Sequence, residues 1–192
     1  MSGKTLLAGI LAGVTVFVWG SISHMLLPLG EVGIREIPNE EAVLGAMQYS
    51  IQAPGFYLFP GMGKPHDQVT EADQKQWEEK YKTGSYGVLI YAPGDGAAFN
   101  FPARLGKEFL SNILAALVAA FLVSNATSLT GFAARTAFVG ALGLFSAFDV
   151  HASYWNWYGF PASYTLAQTV DGVIGWTLAG VVLALMIKPA KA

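Results

Sequence analysis

The sequence predicts an all-α membrane protein with four transmembrane helices and a small α/β extracytoplasmic domain inserted between helices 1 and 2. Three observations lead to this prediction. The composition is 53% hydrophobic and 12% charged, with a mean hydropathy of +0.43. A bilayer core about 30 Å thick requires about 20 mostly apolar helical residues, and four stretches contain no Asp, Glu, Lys or Arg, namely 5–29, 109–134, 136–148 and 172–187. Most of the charged residues lie instead between residues 30 and 104.

Composition also limits the possible functions. The net charge is −2, so the chain has no basic field that would attract nucleic acid. Without cysteine it forms no disulfide, thiolate metal site or cysteine nucleophile. It contains no G-x-S-x-G, phosphate-binding loop or dinucleotide glycine motif. The sequence therefore carries no motif that identifies an enzyme.

Residues 1–29 are predicted to form the first transmembrane helix, which is apolar from Thr5 to about Leu29. This stretch is longer than the core of a secretory signal, and no A-x-A-like cleavage site follows it, so we expect the helix to be retained. Gly9 and Gly13 form a small-xxx-small pair, which lets another helix approach closely. The pair is explained either by packing within the chain or by self-association.

Residues 30–104 are predicted to form the extracytoplasmic α/β domain. Apolar residues at helical spacing predict a helix over Glu40–Ile51, with Asn39 as its N-cap. A second helix is predicted over Glu71–Lys82, with Thr70 as its cap and Asp73 completing a capping box.

Two short strands are predicted in the same domain, over Phe56–Phe59 and Tyr86–Tyr91. Because a helix lies between them, we expect the strands to be parallel and joined by a right-handed crossover. Two strands alone are marginally stable in water. The domain should therefore lean on the membrane or on a partner.

Residues 105–192 are predicted to hold transmembrane helices 2–4, over about 105–124, 132–148 and 164–187. Arg135 lies near the start of the third, close enough to the surface for its side chain to snorkel there. Residues 149–163 are predicted to be an aromatic outer loop. Its Trp155 and Trp157 suit the headgroup boundary.

Orientation follows from the charges at the helix ends. With four crossings both termini lie on one side, together with Lys4, Arg135, Lys188 and Lys191 and with no acid. Because basic residues favour the cytoplasmic side, we expect both termini to be cytoplasmic. The predicted location is a bacterial inner membrane, in which the protein is a multi-pass component.

Several ionisable residues should then lie at one level near the outer face: His24, Glu108, Asp149, His151 and Asp171. Such groups at membrane depth are functional candidates. Glu108 and Asp171 are expected in first helical turns, where the helix dipole gives carboxylates a structural explanation. Asp149 is expected at the C-terminal end of its helix, where the dipole disfavours an anion, so it should need a partner such as His24, His151 or water.

The sequence identifies no particular cofactor. The candidate cofactor-binding residues are His24, Asp149, His151, Asp171, Trp155 and Trp157. Of these, His24, His151 and Asp149 are candidate metal ligands, because imidazole and carboxylate groups suit zinc, copper or iron. No local metal-binding motif such as H-E-x-x-H supports the site.

Two functions are compatible with these observations. The first is an integral membrane accessory or structural subunit of a larger complex, which packs through its helices and docks through its outer domain. Its partners would be the lipid bilayer and other membrane subunits or a second copy, and not nucleic acid. The alternative is a membrane metal- or quinone-binding redox protein that uses His24, Asp149, His151 and Asp171.

Overall fold

The computed structural model describes residues 1–94 and 99–188, which are mostly helical. Its α-helices are α1 Gly3–Met25, α2 Glu40–Ser50, α3 Glu71–Thr83, α4 Phe101–Asn125, α5 Phe132–Ser146, α6 Ala152–Tyr158 and α7 Ala162–Met186. The strands are β1 Gly55–Phe59 and β2 Gly87–Tyr91, and short 3-10 turns occupy Pro28–Glu31 and His66–Gln68. Four helices are long and apolar enough to cross a membrane: α1, α4, the continuous helix Phe132–Tyr158, and α7. The prediction of four such helices is confirmed.

The chain divides into two compact units. The first, here called the helical unit, comprises Met1–Arg35, Phe99–Asn156 and Phe160–Ala192. The second, here called the sheet unit, comprises Glu36–Ala98 and Trp157–Gly159.

The interior of the helical unit consists mostly of small side chains, and Leu183 and Val139 are the largest of those that are fully buried. Its fully buried residues include Ala8, Ala12, Ala116, Ala120 and Ala179. Large apolar side chains point outward instead; they include Leu110, Leu114, Val118 and Phe121, which are each more than half exposed. Helices that pack in lipid have this arrangement. Small residues allow the helix backbones to approach closely, and large apolar side chains can face the acyl chains without a hydrophobic cost.

Gly9 and Gly13 bring α1 against α4. A Cβ atom added at Gly9 would lie 2.7 Å from Leu117 Cδ2, and one at Gly13 would lie 2.6 Å from Ile113 Cα. Both distances are too short for real atoms. Leu117 Cδ2 is the end of a flexible side chain that can shift, whereas Ile113 Cα is backbone, so the requirement for glycine is strict at Gly13. Of the two explanations left open by the sequence, the structure supports packing within the chain.

The third long helix does not end where the sequence suggested. A π-helical segment, Ala147–His151, continues α5 directly into α6, so the chain is helical to Tyr158. The predicted aromatic loop over residues 149–163 is therefore wrong for most of its length. The helix-breaking residues come later, at Gly159 with φ 70° and at Pro161. The aromatic residues of this segment suit the membrane boundary, but such a composition does not distinguish a loop from the end of a helix.

Arg135 does not extend to the surface as predicted. It is buried, with 7% of its surface exposed. Its Nη1 donates to the backbone carbonyl of Ile187, and its Nε donates to the carbonyl of Gly131 at 3.3 Å. Ile187 directly follows α7, so the guanidinium satisfies a carbonyl at that helix end that has no partner within the helix.

The two strands of the sheet unit are antiparallel, which corrects the predicted parallel pairing. Gly55 pairs with Tyr91 and Phe59 with Gly87, so the chain leaves β1 and enters β2 at the same end of the sheet. The helix between them is held at that end, because Trp77 Nε1 donates to the Pro60 carbonyl at 2.7 Å. A parallel crossover would have carried the chain back to the opposite end of the sheet.

The two predicted helix caps of the sheet unit have different outcomes. Thr70 forms the expected capping box: Asp73 N donates to its Oγ1 at 3.3 Å, and Thr70 N donates to Asp73 Oδ2 at 2.9 Å. Asn39 does precede α2, but its backbone is left-handed, with φ 52° and ψ 49°, and its side chain makes no cap hydrogen bond. The predicted position of the cap is confirmed, but Asn39 does not cap α2 through its side chain.

Candidate functional site

A polar cavity of about 440 Å³ lies in the helical unit, where α1 ends and where α4 and α7 are near their starts. It brings together three residues that the sequence placed at one level: His24, Glu108 and Asp171. The rest of its lining is Val16, Trp19, Gly20, Asn112, Gln168, Gly172, Gly175 and Trp176.

The two carboxylates lie deeper in their helices than predicted. α4 begins at Phe101, where the Asn100 side chain accepts a hydrogen bond from Ala103 N at 2.9 Å, and α7 begins at Ala162. With a rise of about 1.5 Å per residue, Glu108 and Asp171 lie about 10 Å and 14 Å along their helices. Neither first turn contains an acid. The helix-dipole explanation expected for these residues is therefore wrong, since that effect is confined to the first turn.

The carboxylate of Asp171 is only partly satisfied. Its side chain is 14% exposed, and its Oδ1 is buried without a hydrogen-bond partner among the described residues. Its Oδ2 lies 4.0 Å from His24 Nδ1, which is too long for a hydrogen bond. The backbone at this position is held more firmly, because Trp19 Nε1 donates to the Asp171 carbonyl at 3.1 Å.

The imidazole of His24 folds back onto its own helix. Its Nδ1 lies 3.0 Å from the Gly20 carbonyl and 2.9 Å from Ser23 Oγ. A carbonyl only accepts hydrogen bonds, so Nδ1 carries a hydrogen and donates it to Gly20. The turn after α1 contacts one edge of the ring, since a Cβ atom at Gly30 would lie 2.7 Å from His24 Cδ2, and the side chain is 45% exposed. His24 thus lines the cavity with its ring held by contacts to Gly20 and Ser23.

Three further polar side chains line the cavity without internal partners: those of Glu108, Asn112 and Gln168. None forms a hydrogen bond or ion pair with another described residue. Glu108 and Asn112 are four residues apart on α4, and Gln168 and Asp171 are three apart on α7, so each pair shares a helix face. Such a cavity can accept hydrogen bonds from a ligand and can offset its positive charge.

The structure does not assemble the full set of residues proposed from the sequence. Asp149 and His151 lie in the π-helical segment and do not line the polar cavity. Asp149 is within a continuous helix, so the expectation that it ends its helix is also wrong. Trp155 and Trp157 are 54% and 77% exposed and lie outside the cavity lining.

The candidate metal ligands His24, His151 and Asp149 are likewise not brought into one site. Across residues 1–94 and 99–188, no group of three or more His, Asp or Glu residues could hold a metal ion. Sequence reasoning missed Trp19, Asn112 and Gln168 as cavity residues. The available signal was an amide within one helical turn of each carboxylate, in otherwise apolar segments.

Comparison with known proteins provides no relative for this site. No family model, curated protein or solved structure matches the chain. The function proposed below therefore rests on the residues of the chain itself.

Proposed function

We propose that the protein is an accessory or structural subunit of a larger membrane complex, which packs through its helices and docks through its sheet unit. One observation carries the proposal: between residues 36 and 94 no residue is buried. A folded domain normally encloses a hydrophobic core, and a two-stranded sheet alone is marginally stable. A unit of this kind gains stability when a partner covers its apolar side chains.

The surface available for docking is one face of the two-stranded sheet, here called the apolar sheet face. It consists of Phe56, Leu58, Val88 and Ile90, in which Phe56 pairs with Ile90 and Leu58 with Val88. Residues directly opposite each other share a face, as do alternate residues along a strand. Phe56, Leu58 and Ile90 are 50%, 58% and 78% exposed. Exposed apolar patches of this type are typical of protein interaction sites.

A charged residue supports contact with partner subunits within the membrane. Asp149 lies inside the continuous helix Phe132–Tyr158, is exposed, and has no hydrogen-bond or ion-pair partner among the described residues. A charge at the centre of a membrane span costs about 2.5–3.5 kcal/mol on insertion scales. A neighbouring helix with a Lys or Arg at the same depth would offset this cost.

The proposed orientation places both termini in the cytoplasm and the sheet unit outside, in a bacterial inner membrane. Its support is the charge at the two ends of the helical unit. Lys4 and Lys188 line a cavity of about 290 Å³ at the end opposite the polar cavity, and Arg135 bonds to the adjacent Ile187 carbonyl. Short basic segments favour the cytoplasmic side.

Site-specific photo-crosslinking tests the docking role. A photoreactive residue at position 90, on the apolar sheet face, should yield one defined adduct in native membranes. The matched control is position 49, because Tyr49 is 88% exposed but lies on α2. Ile90→Asp should abolish co-purification of the same partner, and Tyr49→Asp should retain it. Equal labelling at both positions, or no adduct at either, would contradict the proposal.

The alternative of a metal- or quinone-binding redox protein stays a prediction. It requires His24, Asp149, His151 and Asp171 to act together, and only His24 and Asp171 share the polar cavity. Stoichiometric metal or a visible absorption band in the purified protein would favour this alternative over the accessory role.

A further inference from the structure

The polar cavity has an unbalanced negative charge. Its lining includes two carboxylates, Glu108 and Asp171, and neither Lys nor Arg among the described residues. The nearest basic residues along α4 are turned elsewhere: the Arg104 guanidinium lies 4.9 Å from the centre of the Phe99 ring, and Lys107 is exposed and outside the lining. The hydrogen on His24 Nδ1 is directed at the Gly20 carbonyl. Among the described residues that line the cavity, the basic side chain nearest these carboxylates is His24, whose Nδ1 lies 4.0 Å from Asp171 Oδ2 and makes no hydrogen bond to it.

The burial of Asp171, whose side chain is 14% exposed, makes this imbalance costly, whereas Glu108 is exposed. Both lie two to three turns inside helices long and apolar enough to cross a membrane. Acidic groups at such depth normally pair with a positive group or line a binding pathway. Asp171 Oδ1, which is buried without a partner among the described residues, is the atom most in need of one.

Two indole rings complete the lining, and both are held in place by close contacts. Trp19 donates to the Asp171 carbonyl at 3.1 Å, and its Cδ1 would lie 3.0 Å from a Cβ atom at Gly175. Trp176 packs against Gly143 of α5, where a Cβ atom would lie 3.0 Å from its ring. Fixed tryptophan side chains beside acidic groups are the usual components of sites for organic cations, because the ring face attracts positive charge.

From this combination we infer that the polar cavity binds a small organic ammonium cation. Glu108 and Asp171 supply the opposite charge, Trp19 and Trp176 contact the alkyl groups of the cation, and Asn112 and Gln168 accept hydrogen bonds from any attached polar group. A volume of about 440 Å³ suits a small organic molecule. It does not suit a bare metal ion, for which the described residues offer no group of three ligands. This inference is independent of the accessory role, since the apolar sheet face takes no part in it.

A matched pair of probes tests the inference on the full-length protein in detergent. Choline carries a quaternary ammonium group, and 3,3-dimethyl-1-butanol has the same shape without the charge. We expect saturable binding of choline, seen in tryptophan fluorescence and by calorimetry, to be at least tenfold tighter than binding of the uncharged alcohol. Sodium chloride at equal ionic strength should produce neither signal.

Variants then assign the binding to the cavity. Asp171→Asn and Glu108→Gln should each weaken choline binding at least tenfold. Asp149→Asn is the matched control: it removes a membrane carboxylate outside the cavity and should leave the affinity unchanged. If Asp171→Asn fails to fold, Glu108→Gln and Trp176→Phe carry the test. Equal binding of the two probes, an equal response to sodium chloride, no saturable binding, or equal losses in Asp149→Asn and Glu108→Gln would each overturn the inference.

Discussion

Arg135 illustrates how a single buried charge can join two helices. The last carbonyls of a helix have no partner within it, and they form the negative end of the helix dipole. The guanidinium of Arg135, in the first turn of α5, reaches the carbonyl of Ile187 just after α7. One side chain therefore supplies both a hydrogen-bond donor and a favourable charge at the end of the fourth spanning helix.

Replacement of Arg135 should loosen this end of the protein. Arg135→Gln removes the charged donor and leaves a buried carbonyl unsatisfied, at an expected cost of about 1–3 kcal/mol in unfolding free energy. Thermal unfolding in detergent, together with amide exchange at residues 183–188, measures the change. Arg104→Gln is the control because Arg104 is exposed, and it should change neither quantity. Equal effects of both variants would show that the carbonyl contact contributes nothing.

At Asp73 the expected effect depends on pH. Hydrogen bonds from the Lys64 ammonium, then from the Thr70 side chain and backbone, hold the pKa of Asp73 well below its ordinary value of 3.8. A lowered pKa in the folded state means that the carboxylate stabilises α3 above pH 3.8. This contribution is lost as the pH falls below 3.8 toward the folded-state pKa.

Amide exchange in the first turn of α3 is the measurement for this effect. Protection should be constant from pH 7 to about 4, once intrinsic exchange rates are corrected for, and should decline in more acidic solution. Asp73→Asn should be less protected at neutral pH and should lose this acid-dependent decline. Glu71→Gln, in the same turn but outside the capping box, should behave like the unaltered protein.

Helix packing in the helical unit depends on positions where no side chain fits. The contact of Gly13 with Ile113 Cα involves backbone, which cannot move aside as a flexible side chain can. The close approach of α1 to α4 therefore requires that residue 13 has no Cβ methyl group.

Gly13→Ala should destabilise the protein by about 1–3 kcal/mol, the usual cost of overpacking a tight contact. Gly106→Ala on α4 is the matched control, because no atom lies within 4 Å of the added Cβ. It should be neutral or stabilise by up to about 1 kcal/mol through higher helix propensity. Thermal unfolding in detergent distinguishes the two. A change of oligomeric state in Gly13→Ala with unchanged stability would instead favour self-association.

Across the whole molecule, the two ends of the helical unit differ in charge. Lys4 and Lys188 line the cavity at one end, while Glu108 and Asp171 line the polar cavity at the other. Arg104 and Lys107 lie near the start of α4, but they follow a long segment, and long segments cross a membrane largely regardless of their charge. The proposed orientation therefore rests on Lys4 and Lys188, because basic residues that flank a membrane helix are retained in the cytoplasm.

The absence of cysteine makes the orientation directly testable. Tyr49→Cys should react with a membrane-impermeant maleimide in intact cells, because Tyr49 is 88% exposed on α2 of the sheet unit, which is proposed to lie outside. Lys4→Cys should react only after the membrane is permeabilised. The reverse pattern would place the sheet unit in the cytoplasm and would also remove the proposed location of its partner.

The features that the sequence predicted well are those encoded within a few neighbouring residues. Uninterrupted apolar segments located the four long helices, and the Thr70–Asp73 spacing located the start of α3. The direction of the strands was not predictable in this way, since it is set by pairing between residues far apart in the sequence, such as Gly55 with Tyr91. Such a contact leaves no local pattern.

The polar cavity was predictable in part, because the depth of a residue along its helix can be inferred from the neighbouring sequence. The sequence placed His24, Glu108 and Asp171 at one depth in the membrane, and in the structure all three line the same cavity. The rotation of each helix about its axis was not predictable, and it separates Asp149 from the cavity lining and brings in Asn112. Polar residues at the same depth meet only when their helix faces also turn toward each other.

The small-residue interior of the helical unit limits how the sequence can diverge. Positions such as Ala12, Ala116 and Ala179, which are fully buried, can exchange only with glycine or serine without separating the helices. Lipid-facing positions such as Leu114 and Val118 can exchange with any apolar residue at little cost. Two descendants of this chain could therefore differ at most outward positions and keep the same helix arrangement, so that overall sequence identity would understate their kinship.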